Sequence, residues 1–432
     1  MGLYFGTDGI RGLANIEITP ELSFRAGNAL AQAGAAKIVV VRDTRDSGDL
    51  LALSFCAGAL ADGCNVVYAG IVPTAAAAIL TCLLKTDFGA VISASHNPPE
   101  YNGIKLFSSA GLKLSEKEEG LIESLICTPM YAPHEKIGRF THDAKNAEVY
   151  EKHLLSGLDV NLKGMKIVLD CANGAAAQIA PKIFRLTGAA VTAYNTETDG
   201  KNINESCGAL YPEFLAKKVI KDGADIGFCF DGDADRLIAV DGNGNIVDGD
   251  TTLYILACAY KEKGLLKNNC VVGTSHTNMA IQEALEAKGV TLLRADIGDK
   301  YVSDMMIKEG AALGGEQSGH IIIRHLSPTG DGILTALQLA QTAKSTPLAS
   351  LADIKLFPQT NLSVTVKDKK AVINNERLWD FVNEISAKIK PKGRVLVRAS
   401  GTEPKIRIVA ECRSKTMCDE TAFAIKAFIE KF

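Results

Sequence analysis

The sequence predicts an α/β protein with three successive α/β units and a smaller C-terminal α+β domain. Three observations predict this fold: a length of 432 residues, a repeated alternation of strand and helix patterns, and a change of pattern after residue 357. A domain usually has about 100 to 200 residues, so this length suggests two to four compact units. Hydrophobic residues make up 47% of the chain and charged residues 22%, which is typical of globular proteins.

The alternation begins with an alanine-rich helix pattern after Pro20, which leads into the apolar run at residues 37–41. Further helix patterns separate the strand-like runs at residues 66–68 and 89–92. The same alternation recurs in the second and third units, between residues 166 and 323. Unbroken apolar strands are typical of parallel sheets covered by helices, so we expect parallel or mixed sheets in all three units.

The last part of the chain has a different pattern, with strands at residues 362–366, 394–397 and 406–410 and helices between and after them. This pattern predicts a small α+β domain. The expected domains are residues 1–152, 153–250, 251–357 and 358–432.

Charge and composition exclude several classes of partner. The formal net charge of −3, from 47 basic and 50 acidic residues, gives no overall field that would attract nucleic acid or anionic lipid. No apolar run approaches the roughly 18 to 20 residues of a membrane span, and no export signal opens the chain. The 11 cysteines form no Cys-x-x-Cys pair, which predicts reduced thiols. We therefore expect a cytoplasmic protein without nucleic-acid or membrane partners.

Three carboxylates alternate with small residues where the buried-strand pattern at residues 224–230 ends, in the segment DGDADR at residues 231–236. Like charges this close repel unless a cation lies among them, and oxygen ligands favour magnesium, manganese or calcium. The segment predicts a metal site. A calcium-binding EF-hand is excluded because Arg236 and Gly242 stand where that loop needs Gly and Glu. A solvated acidic turn and an aspartyl-phosphate phosphatase using Asp231 remain alternatives.

A second polar loop, SASHNP at residues 93–98, follows another apolar run. Ser95 is expected at a strand end, where a serine either caps the next helix or acts as a nucleophile. The loop lacks the Gly-x-Ser-x-Gly pattern of an esterase elbow, so acyl transfer is not indicated.

Five segments together resemble the alpha-D-phosphohexomutases, in that family's order and across essentially the whole chain. The segments are residues 5–12 (FGTDGIRG), 93–105, 231–236, 314–320 (GGEQSGH) and 398–404 (RASGTEP). The resemblance implies the family's fold, with three similar α/β domains and a fourth smaller domain around a central cleft. A plain turn at residues 314–319 and an unpaired core histidine at His320 are the structural alternatives.

The resemblance also implies roles for individual residues. Ser95 is implied to carry a phosphoryl group and to bind Mg²⁺ together with Asp231, Asp233 and Asp235. The residues implied near Ser95 for proton transfer are Arg11, His96, Lys105 and His320. Those implied to bind substrate are Arg236, Glu316, Ser318, Arg398, Ser400, Gly401, Thr402 and Arg407.

Such an enzyme passes its phosphoryl group to a hexose monophosphate and takes the other phosphate back from the resulting 1,6-bisphosphate, which also serves as activator. Gln317 and residues 202–204 resemble the phosphoglucosamine mutase branch, which implies interconversion of glucosamine 6-phosphate and glucosamine 1-phosphate. Residues 209–211 and His276 depart from that branch. Phosphomannomutase or phosphoglucomutase activity and a non-catalytic sugar-phosphate sensor therefore stay open. A homodimer is a further expectation.

Overall fold

The computed structural model describes residues 4–6, 8–143, 145–158, 161–400 and 404–432. The chain forms two compact units, one of Met1–Thr277 with Leu285–Asp353 and one of Asn278–Ala284 with Ile354–Phe432. Three of the four sheets belong to the first unit and one to the second. Within the described ranges, every helix is too short or too polar to cross a membrane.

The first sheet has six strands in the order β1-β5-β4-β2-β3-β6. Its strands are β1 (Ile10–Leu13), β2 (Lys37–Arg42), β3 (Asn65–Ile71), β4 (Phe88–Ile92), β5 (Tyr101–Ser108) and β6 (Phe140–His142). The accompanying helices are α1 (Pro20–Gln32), α2 (Gly48–Ala61), α3 (Thr74–Leu83), α4 (Glu116–Ile126) and α5 (Lys145–Ser156). Strands β2, β3, β4 and β6 run parallel, whereas β5 is antiparallel to both of its neighbours.

The second sheet has five strands in the order β11-β10-β9-β7-β8. They are β7 (Lys166–Asp170), β8 (Ala190–Tyr194), β9 (Ile226–Phe230), β10 (Leu237–Asp241) and β11 (Ile246–Val247), with helices α6 (Ala176–Leu186) and α7 (Pro212–Asp222). The neighbouring strands β9, β7 and β8 run parallel to one another. Strand β10 runs antiparallel to β9.

The third sheet has four strands in the order β13-β12-β14-β15. Its strands are β12 (Cys270–Thr274), β13 (Thr291–Ala295), β14 (Leu313–Gly315) and β15 (Ile321–Ile323). The helices along this stretch are α8 (Gly249–Glu262), α9 (Met279–Ala287), α10 (Asp299–Glu309), α11 (Gly332–Ala343) and α12 (Leu348–Leu351). Here too the last strand, β15, is antiparallel to its neighbour.

The second unit contains an antiparallel three-stranded sheet in the order β16-β18-β17. Its strands are β16 (Gln359–Thr365), β17 (Gly393–Ala399) and β18 (Lys405–Cys412), and its helices are α13 (Lys369–Ile373), α14 (Glu376–Ile389) and α15 (Lys415–Ile429). Short 3-10 helices elsewhere cover His134–Lys136, Gly208–Leu210 and Lys267–Asn269. The predicted fold class, three successive α/β units and a smaller α+β domain, is confirmed. The domain boundaries stay a prediction.

Local sequence explains where several helices begin. The side chain of Thr19 accepts a hydrogen bond from the backbone N–H of Leu22, and Pro20 occupies the first helical position of α1. Ser115 and Glu118 form a reciprocal capping box at the start of α4. These caps satisfy backbone N–H groups that have no partner inside the helix.

Helices α1 and α2 cross at a pair of glycines. A Cβ on Gly27 would lie 2.0 Å from Phe55 O, and a Cβ on Gly58 would lie 1.8 Å from Phe24 O. The two backbones therefore touch, and neither position has room for a methyl group.

Gly58→Ala is expected to destabilise the protein by about 1 to 3 kcal/mol, because the helices must separate to admit the methyl group. The matched control is Gly120→Ala in α4, where an added Cβ meets nothing within 4 Å. That change should stabilise the protein by up to about 1 kcal/mol, since alanine favours helix. Denaturant unfolding measures both changes, and equal effects of the two substitutions would contradict the close contact.

Candidate active site

The serine loop, residues 93–98, connects β4 to the antiparallel strand β5. Ser95 has a backbone φ of 52°, in the left-handed region, and is 1% exposed. Its Oγ donates a hydrogen bond to Asp231 Oδ2 at 2.7 Å. Because a strand follows the loop, the interpretation of Ser95 as a helix cap is wrong. The hydroxyl instead points at the acidic segment of the second sheet.

The acidic loop, residues 231–235, follows the fully buried strand β9. All three aspartates are buried, and one carboxylate oxygen from each lies within 4.8 Å of the others. Burial, together with the charges of Asp235 and Asp233, raises the pKa of Asp231 to about 8. Among the described residues, Asp233 Oδ1 and Asp235 Oδ1 are buried without a hydrogen-bond partner. Unpartnered hard oxygen atoms in a crowded acidic cluster can bind a metal ion, and the solvated-turn alternative is wrong.

The small residues between the aspartates have a steric reason. Gly232 lies against the serine loop, and a Cβ there would be 2.7 Å from Ser95 O. Ala234, the other spacer, adopts a left-handed φ of 56°. At Gly232 the loop can approach Ser95 this closely because the residue has no Cβ.

Lys105, in β5, supplies positive charge to the acidic loop. Its Nζ is 2.7 Å from Asp233 Oδ2 and 3.1 Å from Asp235 Oδ2. Burial lowers the pKa of this ammonium, but the surrounding carboxylates outweigh burial and hold the pKa well above its usual value. Thr74, at the start of α3, also donates its hydroxyl to Asp233 Oδ2.

A second group of charges extends from this site. Arg11 in β1 forms an ion pair with Asp8, and Asp8 also contacts Lys113 and lies 3.4 Å from Lys105. Lys113 in turn forms an ion pair with Asp299, the first residue of α10. Burial raises the pKa of Asp8, but the three cations outweigh it and hold that pKa well below its usual value. Charged side chains thereby connect the loop after β5 to α10, the helix that follows β13 of the third sheet.

Two histidines lie at this site in different environments. His96 Nδ1 is 3.3 Å from Ser95 Oγ, and burial with the positive charges of Arg236 and Arg11 lowers the pKa of His96 to about 4. His320 Nδ1 lies 3.7 Å from Asp235 Oδ2, and its Nε2 accepts a hydrogen bond from the Gly330 N–H at 3.2 Å.

The protonation of His320 is set by opposed influences. Burial and the Gly330 N–H favour the neutral ring, whereas the carboxylates of Asp235 and Asp299 favour the charged ring and raise its pKa to about 8. Both forms are therefore accessible near neutral pH. The alternative of an unpaired core histidine is wrong.

A cavity of about 510 Å³ opens beside these groups in the first unit. It is lined by Asp8, Arg11, His96, Asp235, Arg236, Thr274, His276, Ile297, Gly298, Asp299, Glu316, Gln317, Ser318 and His320. Residues 316–319 form a tight turn between β14 and β15, in which the Gly319 N–H donates to Glu316 O at 2.9 Å. Glu316 Oε1 accepts a hydrogen bond from Gly298 N, and burial raises the pKa of this carboxyl. The segment is a turn, as the structural alternative predicted. The side chains of Glu316, Gln317 and Ser318 in this turn also line the cavity.

The remaining residues implied to bind substrate belong to the second unit. Arg398 in β17 and Arg407 in β18 are directly opposed partners in the antiparallel pair. Burial and the neighbouring charge of Arg407 lower the pKa of Arg398, and Arg398 Nε is buried with no hydrogen-bond partner in the part of the chain that the structure describes. Like charges directly across a strand pair destabilise a sheet, so this arrangement is suited to an anion. Ser400 follows β17, and its carbonyl accepts a hydrogen bond from Lys369 Nζ at 2.7 Å. Gly401 and Thr402 lie outside the described residues.

The structure brings most predicted site residues together in the first unit, namely Arg11, Ser95, His96, Lys105, Asp231, Asp233, Asp235, Arg236, Glu316, Ser318 and His320. Four charged or polar residues of the site, Asp8, Thr74, Lys113 and Asp299, were not predicted from the sequence. Asp8 could have been found, because it lies inside the motif FGTDGIRG. The sequence around the other three does not indicate a role, because their partners are distant along the chain.

The sequence matches four domain families described as phosphoglucomutase/phosphomannomutase. Alpha/beta/alpha domain I matches residues 2–131, domain II residues 148–244, domain III residues 248–357 and the C-terminal domain residues 362–426. The crystal structure of a phosphoglucomutase/phosphomannomutase family protein from Burkholderia thailandensis superposes with a TM-score of 0.82 at 25% identity, over 98% of this chain and 96% of that one.

Full-length relatives agree with the domain matches. The phosphoglucosamine mutase of Carboxydothermus hydrogenoformans is 44% identical over 443 residues, covering 100% of both chains. That of Caldanaerobacter subterraneus is 44% identical over 444 residues, covering 100% of this chain and 99% of its own. The chain therefore belongs to the phosphoglucomutase/phosphomannomutase family, the alpha-D-phosphohexomutases, and is similar over its whole length to that family's phosphoglucosamine mutases.

Proposed function

We propose that this chain is a phosphosugar mutase that interconverts glucosamine 6-phosphate and glucosamine 1-phosphate. The observation that carries the proposal is the Ser95 hydroxyl, held in a left-handed backbone conformation and bonded at 2.7 Å to a cluster of three buried aspartates. Ser95 carries the phosphoryl group, gives it to the free hydroxyl of the sugar phosphate, and takes the second phosphate back from the 1,6-bisphosphate. The same bisphosphate serves as activator.

The aspartate cluster fits a magnesium ion. Asp231, Asp233 and Asp235 supply the hard oxygen ligands, two of them with an oxygen that has no hydrogen-bond partner among the described residues. When bound, Mg²⁺ neutralises negative charge on the transferring phosphoryl group. A phosphoryl oxygen on Ser95 lies naturally beside this cluster, because the Ser95 hydroxyl already contacts Asp231.

Proton transfer accompanies each phosphoryl transfer. His96 is the imidazole in contact with Ser95 Oγ, and because its pKa is lowered to about 4 it is neutral at physiological pH, so that its ring nitrogen can accept a hydrogen bond from the Ser95 hydroxyl. His320 faces the cavity, where the hydroxyl of the substrate binds, and its pKa of about 8 suits a group that both donates and accepts. Lys105 and Arg11 form ion pairs with the carboxylates around them and are the other two residues proposed to assist proton transfer.

The sugar and its second phosphate need separate contacts. Glu316 and Ser318 face the cavity and are proposed to bind the sugar hydroxyls, with Arg236 beside them. The non-reacting phosphate is assigned to Arg398, Ser400 and Arg407, together with Gly401 and Thr402. Two opposed guanidinium groups give the bidentate hydrogen bonds that phosphate prefers.

The choice of glucosamine rests on similarity along the whole chain to phosphoglucosamine mutases at 44% identity. A cavity of about 510 Å³ is within the usual range for small-molecule sites. His276 lines this cavity at a position where the family resemblance fails, so glucose and mannose phosphates are the alternatives to be tested.

An aspartyl-phosphate phosphatase is less well supported. Its nucleophile would be Asp231, one oxygen of which already accepts the Ser95 hydroxyl. The relatives that match the whole chain are phosphoglucosamine mutases. Domain boundaries at residues 152, 250 and 357, a cytoplasmic location and a homodimer stay predictions.

Ser95→Ala should reduce mutase activity at least about a thousandfold, because the phosphoryl carrier is lost. The assay uses Mg²⁺ and a hexose 1,6-bisphosphate, with phosphopeptide mapping of the wild-type protein. Ser109→Ala, an exposed serine in the same domain, is the control and should keep full activity. Phosphate found on Asp231, or full activity in Ser95→Ala, would refute the mechanism.

Chelation of divalent ions should abolish activity, and added Mg²⁺ should restore it. Independently of activity, Mg²⁺ at about 100 times its dissociation constant should stabilise the folded protein by about 2.7 kcal/mol. Asp233→Asn should remove this thermal shift, while Asp380→Asn, at an exposed position in α14, should keep it. A magnesium shift retained in Asp233→Asn would exclude the assigned site.

Glucosamine 6-phosphate is expected to have a kcat/KM at least about tenfold above those of glucose 6-phosphate and mannose 6-phosphate, since sites that hydrogen-bond a substituent discriminate strongly against its absence. Steady-state kinetics on the three substrates measures this ratio. A preference for mannose or glucose would overturn the glucosamine assignment while leaving the mutase assignment intact.

A further inference from the structure

The left-handed conformation of Ser95 requires an explanation. L-residues avoid this region because Cβ approaches a backbone carbonyl, and they persist there only where surrounding contacts hold them. Ser95 has a Cβ atom, and its backbone φ of 52° nevertheless lies in this region. Asn204 Nδ2 donates to Ser95 O at 2.9 Å and to Asn97 O at 3.1 Å. Further contacts come from the turn after β2, a segment that has no role in the proposed mechanism.

Arg45, in that turn, is a fully buried arginine bonded almost entirely to the serine loop. Its Nη2 donates to Ser95 O at 2.9 Å and to Asn97 O at 2.8 Å. Its Nη1 donates to Tyr101 O at 2.8 Å and also to Pro98 O. A guanidinium has five N–H groups, so four of the five bind carbonyl oxygens of residues 95–101.

The fifth donor completes a connection to the other side of Ser95. Arg45 Nε donates to Asp43 Oδ2 at 2.9 Å, and the same carboxylate oxygen accepts the Ser93 hydroxyl at 2.6 Å. Ser93 Oγ in turn accepts the backbone N–H of Ser95 at 2.9 Å. The peptide groups on both sides of the Ser95 Cα are therefore fixed by one continuous buried network.

We infer that Asp43, Arg45 and Ser93 are positioning residues of the mutase, which hold the Ser95 backbone so that its Oγ faces Asp231. The inference rests on the proposed function. None of the three lines the cavity, so they act through Ser95 and not on the substrate. Phosphoryl transfer depends chiefly on alignment, and a displacement of about 1 Å can cost about a hundredfold in rate.

A purely structural role is the competing explanation. Buried ion pairs contribute little net stability, because desolvation offsets the attraction between the charges. The direction of the Arg45 hydrogen bonds also favours positioning, since three of five go to the serine loop and a fourth goes to Tyr101, where β5 begins shortly after it.

The test compares two buried serines of the first domain. Ser93→Ala removes the acceptor of the Ser95 N–H, while Ser23→Ala removes a buried hydroxyl that donates to Leu51 O at 2.7 Å, in the contact between α1 and α2. Both variants should lose comparable thermal stability. Only Ser93→Ala should lower kcat, by about tenfold to a hundredfold with KM nearly unchanged. Arg45→Lys should behave in the same way, since one ammonium cannot bind four carbonyl oxygens.

Amide hydrogen exchange of residues 93–101 gives a readout that does not need activity. Exchange should accelerate in Ser93→Ala and stay at the wild-type rate in Ser23→Ala. A wild-type kcat in Ser93→Ala, or equal losses of kcat in both serine variants, would overturn the inference. If the wild-type protein proves inactive on every hexose phosphate, the proposed function fails, and unchanged exchange in Ser93→Ala would then overturn the positioning network as well.

Discussion

The site depends on keeping three carboxylates buried within 4.8 Å of one another. Like charges at this distance are strongly unfavourable in a protein interior unless cations compensate them. Lys105 compensates two of the three from the antiparallel strand β5, and Ser95 donates a hydrogen bond to the third. The first sheet thus supplies Ser95 and the main positive charge, while the second sheet supplies the acids. The cluster of contacts therefore needs residues from both sheets.

Chain topology explains how such distant residues meet. Ser95 and Asp231 follow strands β4 and β9, whose carboxyl ends open toward the site, as ligand-binding loops do in α/β sheets. Strand β5 then returns antiparallel and brings Lys105 back beside the serine loop. The charged pairs of Lys113 with Asp8 and Asp299 extend this arrangement to the third sheet.

Much of the fold and the centre of the site were predictable, for reasons visible in particular residues. Unbroken apolar runs such as β2 and β9 identify buried strands, and polar residues directly after such runs mark the serine loop and the aspartates as candidates. The resemblance of five segments to the alpha-D-phosphohexomutases was needed to single out Ser95. The antiparallel returns β5 and β10 were not predicted, because apolar runs carry no information on strand direction. Asp43 and Arg45 also follow a buried strand, so the same signal was present there. Their purpose was not readable, because it consists of hydrogen bonds to backbone atoms about fifty residues away.

Gly232 has a consequence for the dynamics of the protein. The acidic loop and the serine loop approach closely at this residue, where a Cβ would lie 2.7 Å from Ser95 O, and Gly232 has no side chain that could change rotamer between them. Backbone contacts of this kind transmit displacement almost rigidly, because packed interiors have low compressibility. Thermal motion should therefore shift the two loops together, and the separation of Ser95 Oγ from the aspartates should fluctuate less than the position of either loop. The serine loop and the acidic loop would then move as one body.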